Sequence, residues 1–128
     1  MEYLRRSGHE VHRRLSDLIK LDADIVTTEM VVMELLAGAA NQAALTQLRS
    51  TLVEFPVVPV RGLSDFEHAA ALYRRCRAGG ETIRTLNDCL IAAVAIRAGA
   101  TVLHSDRDFD AIARHTELRI EPVPSPGH

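Results

Sequence analysis

The sequence predicts a single α/β domain over residues 1–128, with a mainly parallel sheet covered by helices on both faces in a three-layer α/β/α arrangement. Short apolar runs of strand character alternate with longer runs whose apolar residues recur at helical spacing. The 128 residues suffice for one core, and no segment marks a second domain. The 47% hydrophobic and 25% charged fractions exclude a disordered or collagen-like chain.

The first elements are predicted from breaks in the pattern. Residues 2–6 resemble the end of a helix that Ser7-Gly8 interrupts, and apolar spacing predicts a second helix over about 9–20. Residues 24–27 predict a short buried strand. The chain is therefore expected to enter the sheet only after two helical segments.

The next elements have clear boundary signals. A helix over residues 28–36 is predicted with Thr28 as its cap and Gly38 as its stop. An amphipathic helix follows over about 41–56. Residues 57–60 predict a strand at an edge or at the end of a ladder, because proline within it cannot donate a ladder hydrogen bond.

Ser64 and Glu67 have the capping-box spacing, which predicts a helix from Ser64 toward Arg77 that ends at Gly79-Gly80. The most apolar helix is predicted to open at Asn87-Asp88 and to be central in the fold.

The last part of the chain predicts a strand, a helix and a strand. These cover residues 100–104, 109–115 and 118–123, and an irregular tail begins at about 122. In parallel sheets the functional crevice lies beyond the carboxyl ends of the strands. Acidic residues after the predicted strands are therefore the first candidates for a site.

Four carboxylates are candidates, and each has an ordinary structural alternative. Glu34 lies within an apolar helix, where a charge needs a partner, unless it faces solvent. Asp88 opens the most apolar helix, where capping is the commonest role of aspartate and Asn87 competes for it. Asp106 and Asp108 follow a strand, but aspartate is also common in turns. Like charges gathered at one sheet edge would repel without a cation, so together they favour a Mg²⁺ or Mn²⁺ site.

Composition bears on the expected partners, the cellular location and the state of the cysteines. The net charge of −2 argues against nucleic-acid binding, although a metal would neutralise an acidic site and leave the arginines for phosphate. No apolar stretch is long enough for a membrane span, which predicts a cytoplasmic protein. Cys76 and Cys89 lie in apolar helical runs, so we expect reduced buried thiols.

Three segments carry a resemblance to a known family. Residues 81–96, ETIRTLNDCLIAAVAI, and 101–113, TVLHSDRDFDAIA, resemble the second half of VapC toxins of the PIN family. Residues 28–38, TEMVVMELLAG, are similar to the family segment that bears its second acidic residue. The resemblance covers nearly the whole chain.

The resemblance implies an Mg²⁺-dependent endoribonuclease that is the toxin of a type II toxin–antitoxin system. It places the catalytic carboxylates on Glu34, Asp88 and Asp106, with Asp108 as an accessory metal ligand. A metal-activated water would cleave RNA and leave a 3′-hydroxyl and a 5′-phosphate. The implied partners are a VapB antitoxin, a transfer or other structured RNA, and a second copy of the chain.

Two arginines are candidates for substrate phosphate. Arg84 precedes Asp88 and Arg107 lies between two of the acids, although both also suit an exposed surface.

One departure from the family pattern concerns the start. Family members begin with a strand that ends in aspartate, and the helix that follows it resembles residues 2–5. The first strand and its metal carboxylate are therefore expected to be missing, which predicts low stability and weak activity for this chain.

Two other classes compete. A non-catalytic PIN-like scaffold or interaction module would also lack the first carboxylate. A phosphatase or receiver-type domain gathers strand-end aspartates too, but Lys20, the sole lysine, is badly placed for it.

Overall fold

The computed structural model describes residues 2–5, 26–104 and 107–122. Within these ranges the strands are β1 (Glu2–Arg5), β2 (Thr27–Thr28), β3 (Val57–Val58), β4 (Thr101–His104) and β5 (Arg119–Pro122). The helices are α1 (Glu29–Ala37), α2 (Gln42–Leu52), α3 (Gly62–Ala78), α4 (Leu86–Ala98) and α5 (Arg107–His115). The predicted helix over 9–20, the start of the predicted strand over 24–27 and the tail from residue 123 lie outside these ranges.

All described strand pairs are parallel. One sheet has the order β1-β4-β5 and a second pairs β2 with β3. In the first sheet β4 is the middle strand, with Val102 opposite Tyr3 on one side and Ile120 on the other. The prediction of an α/β fold with a mainly parallel sheet is confirmed.

The prediction of a helix end at residues 2–6 is wrong, because Glu2–Arg5 forms β1 beside β4. A segment this short has too few turns to be stable as a helix alone. Pairing with β4 instead supplies partners for its backbone groups, and Tyr3 and Leu4 suit a strand. β1 contains no aspartate, so it is not the aspartate-ending strand that the family resemblance implies.

The caps of α1 and α2 are local and were predictable. The Thr28 hydroxyl accepts a hydrogen bond from the Val31 N–H at 3.1 Å, and α1 ends at Ala37 before Gly38. The Asn41 side chain accepts from the Ala44 N–H at 2.8 Å. Both helix predictions are therefore confirmed, since the cap residues satisfy N–H groups that lack helical partners.

The predicted capping box at Ser64 is wrong. α3 begins at Gly62, and the Ser64 hydroxyl donates to the Arg61 carbonyl at 3.0 Å. The Asp65 carboxylate accepts from the Arg61 N–H at 2.7 Å. Asp65 thus takes the role that the spacing predicted for Glu67, whereas no side chain caps the helix at Arg61 in the way predicted for Ser64.

The core centres on α4, as predicted. Residues 88–95 are all buried, and α4 packs against α3, α5, α1 and β4. Gly99 ends the helix with φ at 67°, a conformation that glycine adopts without strain. Cys76 and Cys89 are buried free thiols, which confirms the prediction.

Within the described part of the chain, every helix is too short or too polar to cross a membrane.

Candidate acidic site

The candidate site lies where α4 and α5 begin. Asp88 is in the first turn of α4, and Asp108 is in the first turn of α5, directly after the sheet strand β4. Glu34 extends from α1, which packs against α4. The fold therefore brings toward one region three carboxylates that are up to 74 positions apart in sequence, from Glu34 to Asp108.

Asp88 does not cap α4. The Thr85 hydroxyl accepts the hydrogen bond from the Asp88 N–H at 3.3 Å, and the helix begins at Leu86. The Asp88 residue is 1% exposed. A carboxylate is rarely buried this deeply unless a partner or a metal compensates for its lost hydration.

Glu34 is half-buried, so the alternative of a fully exposed outer face does not hold. The Asn87 side-chain amide donates a hydrogen bond to Glu34 Oε1. This contact ties α1 to the residue next to Asp88. The sequence showed Asn87 only as a competing cap, and its contact with Glu34 joins residues 53 positions apart.

Asp108 is 5% exposed and is paired with Arg84. Arg84 Nε lies 3.3 Å from Oδ1 and 3.2 Å from Oδ2 of that carboxylate. The Arg84 side chain is 54% exposed, so it contacts the buried acid and also faces solvent. Arg84 therefore has a defined contact with a candidate site carboxylate, unlike an arginine that is only solvated at the surface.

The buried Cys89 thiol is affected by the charges of both Asp88 and Asp108. Burial is the main cause that raises the pKa of Cys89 to about 12, and the charges of Cys76, Asp88 and Asp108 act in the same direction. Asp88 and Asp108 therefore both act on the same buried thiol. Cys89 therefore stays protonated at neutral pH.

The side chains of two predicted site residues lie outside the described part of the structure. Asp106 lies outside the described residues, and Arg107 is described only as the first residue of α5. Among the residues that the structure describes, no three acidic, histidine or cysteine side chains are grouped closely enough to hold a metal ion. The complete ligand set thus stays a prediction that includes Asp106.

Comparison with known sequences gives a consistent result. The profile of the PIN domain family matches residues 1–115. Ribonuclease VapC11 of Mycobacterium tuberculosis is 44% identical over 123 residues, which are 93% of this chain and 90% of that protein.

Solved structures agree on the fold. VapBC-1 from nontypeable Haemophilus influenzae has a TM-score of 0.70 at 15% identity, covering 95% of this chain and 98% of that one. VapBC-5 from Mycobacterium tuberculosis, a member of the VapBC family of toxin-antitoxin systems, has a TM-score of 0.60 at 28% identity, covering 77% and 81%.

Proposed function

Since this chain belongs to the PIN domain family and is of the VapC type, we propose that it is a metal-dependent endoribonuclease and the toxin of a type II toxin–antitoxin system. The observation that most supports this proposal is the burial of Asp88 and Asp108 in the first turns of neighbouring helices, beside the end of β4. Ligand sites of parallel α/β folds lie at this place.

The donor chemistry suits Mg²⁺ or Mn²⁺. Both cations prefer oxygen ligands, and Asp88, Asp108 and Glu34 offer carboxylates at the start of α4 and α5 and on α1. Two buried aspartates are costly to keep charged, and a divalent cation would offset that cost. We propose that these residues, together with Asp106, hold the metal.

A bound metal would supply an activated water and neutralise charge on the scissile phosphate. The protein's own groups prepare the site. Asn87 holds Glu34 in place through its amide, and Thr85 fixes the turn that carries Asp88. Arg84 faces solvent from beside Asp108, where its guanidinium is suited to a substrate phosphate. Arg107 is a second candidate for this contact.

The partners are proposed from the relatives. VapBC-5 is named as a member of the VapBC family of toxin-antitoxin systems, which supports a VapB-type antitoxin for this chain. VapC11 is named a ribonuclease, which supports RNA as the substrate. A homodimer and a cytoplasmic location remain predictions.

A non-catalytic scaffold is the second candidate. One observation favours it: β1 pairs with the middle strand β4 but carries no aspartate.

The test is cleavage of a structured RNA pool in Mg²⁺ or Mn²⁺ by the parent chain, Asp88→Asn, Asp108→Asn and the control Asp110→Asn. Asp110 lies two residues after Asp108, about 200° around the same helix, so it serves as a matched carboxylate. We expect products with 3′-hydroxyl and 5′-phosphate ends from the parent and the control. EDTA and each site variant should lower the rate at least ~100-fold.

Metal binding is followed separately by the shift in melting temperature. A cation that binds only the folded chain raises its stability with concentration. The shift should be absent in Asp88→Asn and present in Asp110→Asn. A folded parent that binds metal but cleaves no RNA would establish the scaffold instead.

A further inference from the structure

A shallow cleft of about 530 Å³ lies on the outer face of α3, toward its C-terminal end. Among the residues that the structure describes, those that line it are Ala71, Arg74, Arg75, Arg77 and Ala78. Positions 71, 74, 75 and 78 have the i, i+3, i+4, i+7 spacing of one helix face. Four of the five residues therefore lie on one exposed face of α3.

The described part of the lining is rich in positive charge, because three of its five residues are arginines and the other two are alanines. Arg77 lies over the Tyr73 ring at 5.7 Å, which restrains its guanidinium. Arg75 Nη1 contacts Glu117 Oε2 at 2.9 Å, and both side chains are more than half exposed. An exposed pair of this kind contributes little stability and is readily exchanged for a phosphate.

A fixed loop joins this cleft to the acidic site. The Glu81 N–H donates to the Cys76 carbonyl at 3.0 Å, and the Glu81 carboxylate accepts from Arg114 Nη2 at 2.7 Å. The loop then reaches Arg84, which contacts Asp108. Five residues lie between Ala78, the end of α3, and Arg84, so these two backbones are at most about 20 Å apart.

We propose that this cleft binds phosphates of the RNA substrate away from the scissile bond. The inference rests on the proposed nuclease function and adds a substrate-binding surface to it. RNA fits better than an acidic protein segment because its phosphates repeat along the strand, and arginine binds them through paired N–H groups. A chain with a net charge of −2 must gather positive charge locally to hold such a substrate.

The test compares Arg74→Gln/Arg77→Gln with Arg49→Gln/Arg119→Gln in the full chain. Both pairs remove two positive charges from exposed residues, but the control pair lies outside the cleft. RNA affinity is measured in EDTA across a salt series, using a labelled oligonucleotide of about 20 nucleotides and one of about 4. Thermal unfolding checks that every variant is folded.

We expect the cleft variant to bind the long RNA severalfold more weakly, with its salt slope reduced by about 0.7 for each phosphate that the arginines no longer neutralise. In cleavage assays KM for the long RNA rises and kcat is unchanged. The short RNA and the control pair are unaffected, and Arg74→Lys/Arg77→Lys restores most of the affinity.

Unchanged affinity and salt slope for the long RNA in the cleft variant would overturn the inference. Weaker binding of poly-glutamate with unchanged RNA binding would assign the cleft to an acidic protein segment and also overturn it. A folded parent chain that binds no RNA in EDTA and cleaves none in Mg²⁺ or Mn²⁺ would instead contradict the proposed function.

Discussion

Among single residues, Thr85 caps α4, and Asp88 is left as a candidate site carboxylate. The sequence pattern allowed both of these roles for Asp88. Thr85 accepts the hydrogen bond from the Asp88 N–H, so the aspartate side chain is not needed as a cap. Asp88 is then buried in the first turn, where the positive end of the helix dipole favours a negative charge. A helix start can therefore be both well capped and equipped with a carboxylate.

Thr85→Ala should lower the free energy of unfolding by about 1 kcal/mol, because the Asp88 N–H loses its acceptor. Urea unfolding measures the change. Thr85→Ser keeps a hydroxyl at the same position and should retain most of the stability. Equal stability of the alanine variant and the parent would show that the cap is supplied elsewhere.

Among the helices and their connections, residues 79–85 join α3 to α4 and are held on α5 at two points. Glu81 contacts Arg114 and His115 at the end of α5, and Arg84 contacts Asp108 at its start. The His115 ring lies so close to Gly79 that an added Cβ would require the ring to shift. These contacts give the connection a defined path, which sets where Arg84 and Thr85 lie.

Gly79→Ala should destabilise the protein by about 1–3 kcal/mol through overpacking. An added Cβ would lie 2.4 Å from His115 Cε1, whereas the φ of −82° at this position suits alanine. Combination with His115→Ala should relieve the clash and recover part of the loss, measured by thermal unfolding.

Gly80→Ala is the matched control. Its φ of 91° strains any other residue, but an added Cβ meets nothing within 4 Å. Its cost should be the same with or without His115→Ala. A similar recovery in both glycine variants would contradict the proposed clash.

Across the whole molecule, an ion pair with a buried carboxylate joins distant parts of the chain. Asp65, at the start of α3, is bound by Arg97 near the end of α4, with Arg97 Nη2 2.9 Å from Oδ2. The same nitrogen donates to the Pro59 carbonyl at 2.6 Å. The pair therefore connects two helices and the segment after β3.

Asp65→Asn should lower the free energy of unfolding at neutral pH by about 2 kcal/mol, since the partly buried Arg97 loses its charged partner. The Glu117→Gln control removes the exposed pair with Arg75 and should cost under about 1 kcal/mol. Chemical unfolding of both variants measures the difference.

The same pair predicts a dependence on pH. The Arg97 guanidinium holds the pKa of Asp65 below its ordinary value of 3.8. The stabilisation of the folded state by the Asp65–Arg97 pair is therefore fully present above pH 3.8. It is lost as the pH falls through the lowered pKa of Asp65. The stability gap between parent and Asp65→Asn should close in that acidic range, and a gap that persists unchanged would contradict the assignment.

The helix boundaries that could be predicted from the sequence are those that depend on neighbouring residues. Thr28, Asn41 and Gly99 act within one helical turn, so their boundaries follow from neighbouring residues. The contact between Asn87 and Glu34 and the pair of Asp65 with Arg97 join residues 53 and 32 positions apart. No local pattern shows which distant residues meet, so these contacts could not be predicted.

The alternation of strands and helices, the apolar central helix and the family all follow from the amino-acid sequence, because periodicity, caps and motifs are local properties of the chain. Three features emerge only in the folded molecule: Glu2–Arg5 is a strand, Thr85 rather than Asp88 caps α4, and Arg84 meets Asp108. Pairing partners and burial depend on segments far apart in the chain, and packing free energy outweighs local preference where the two differ.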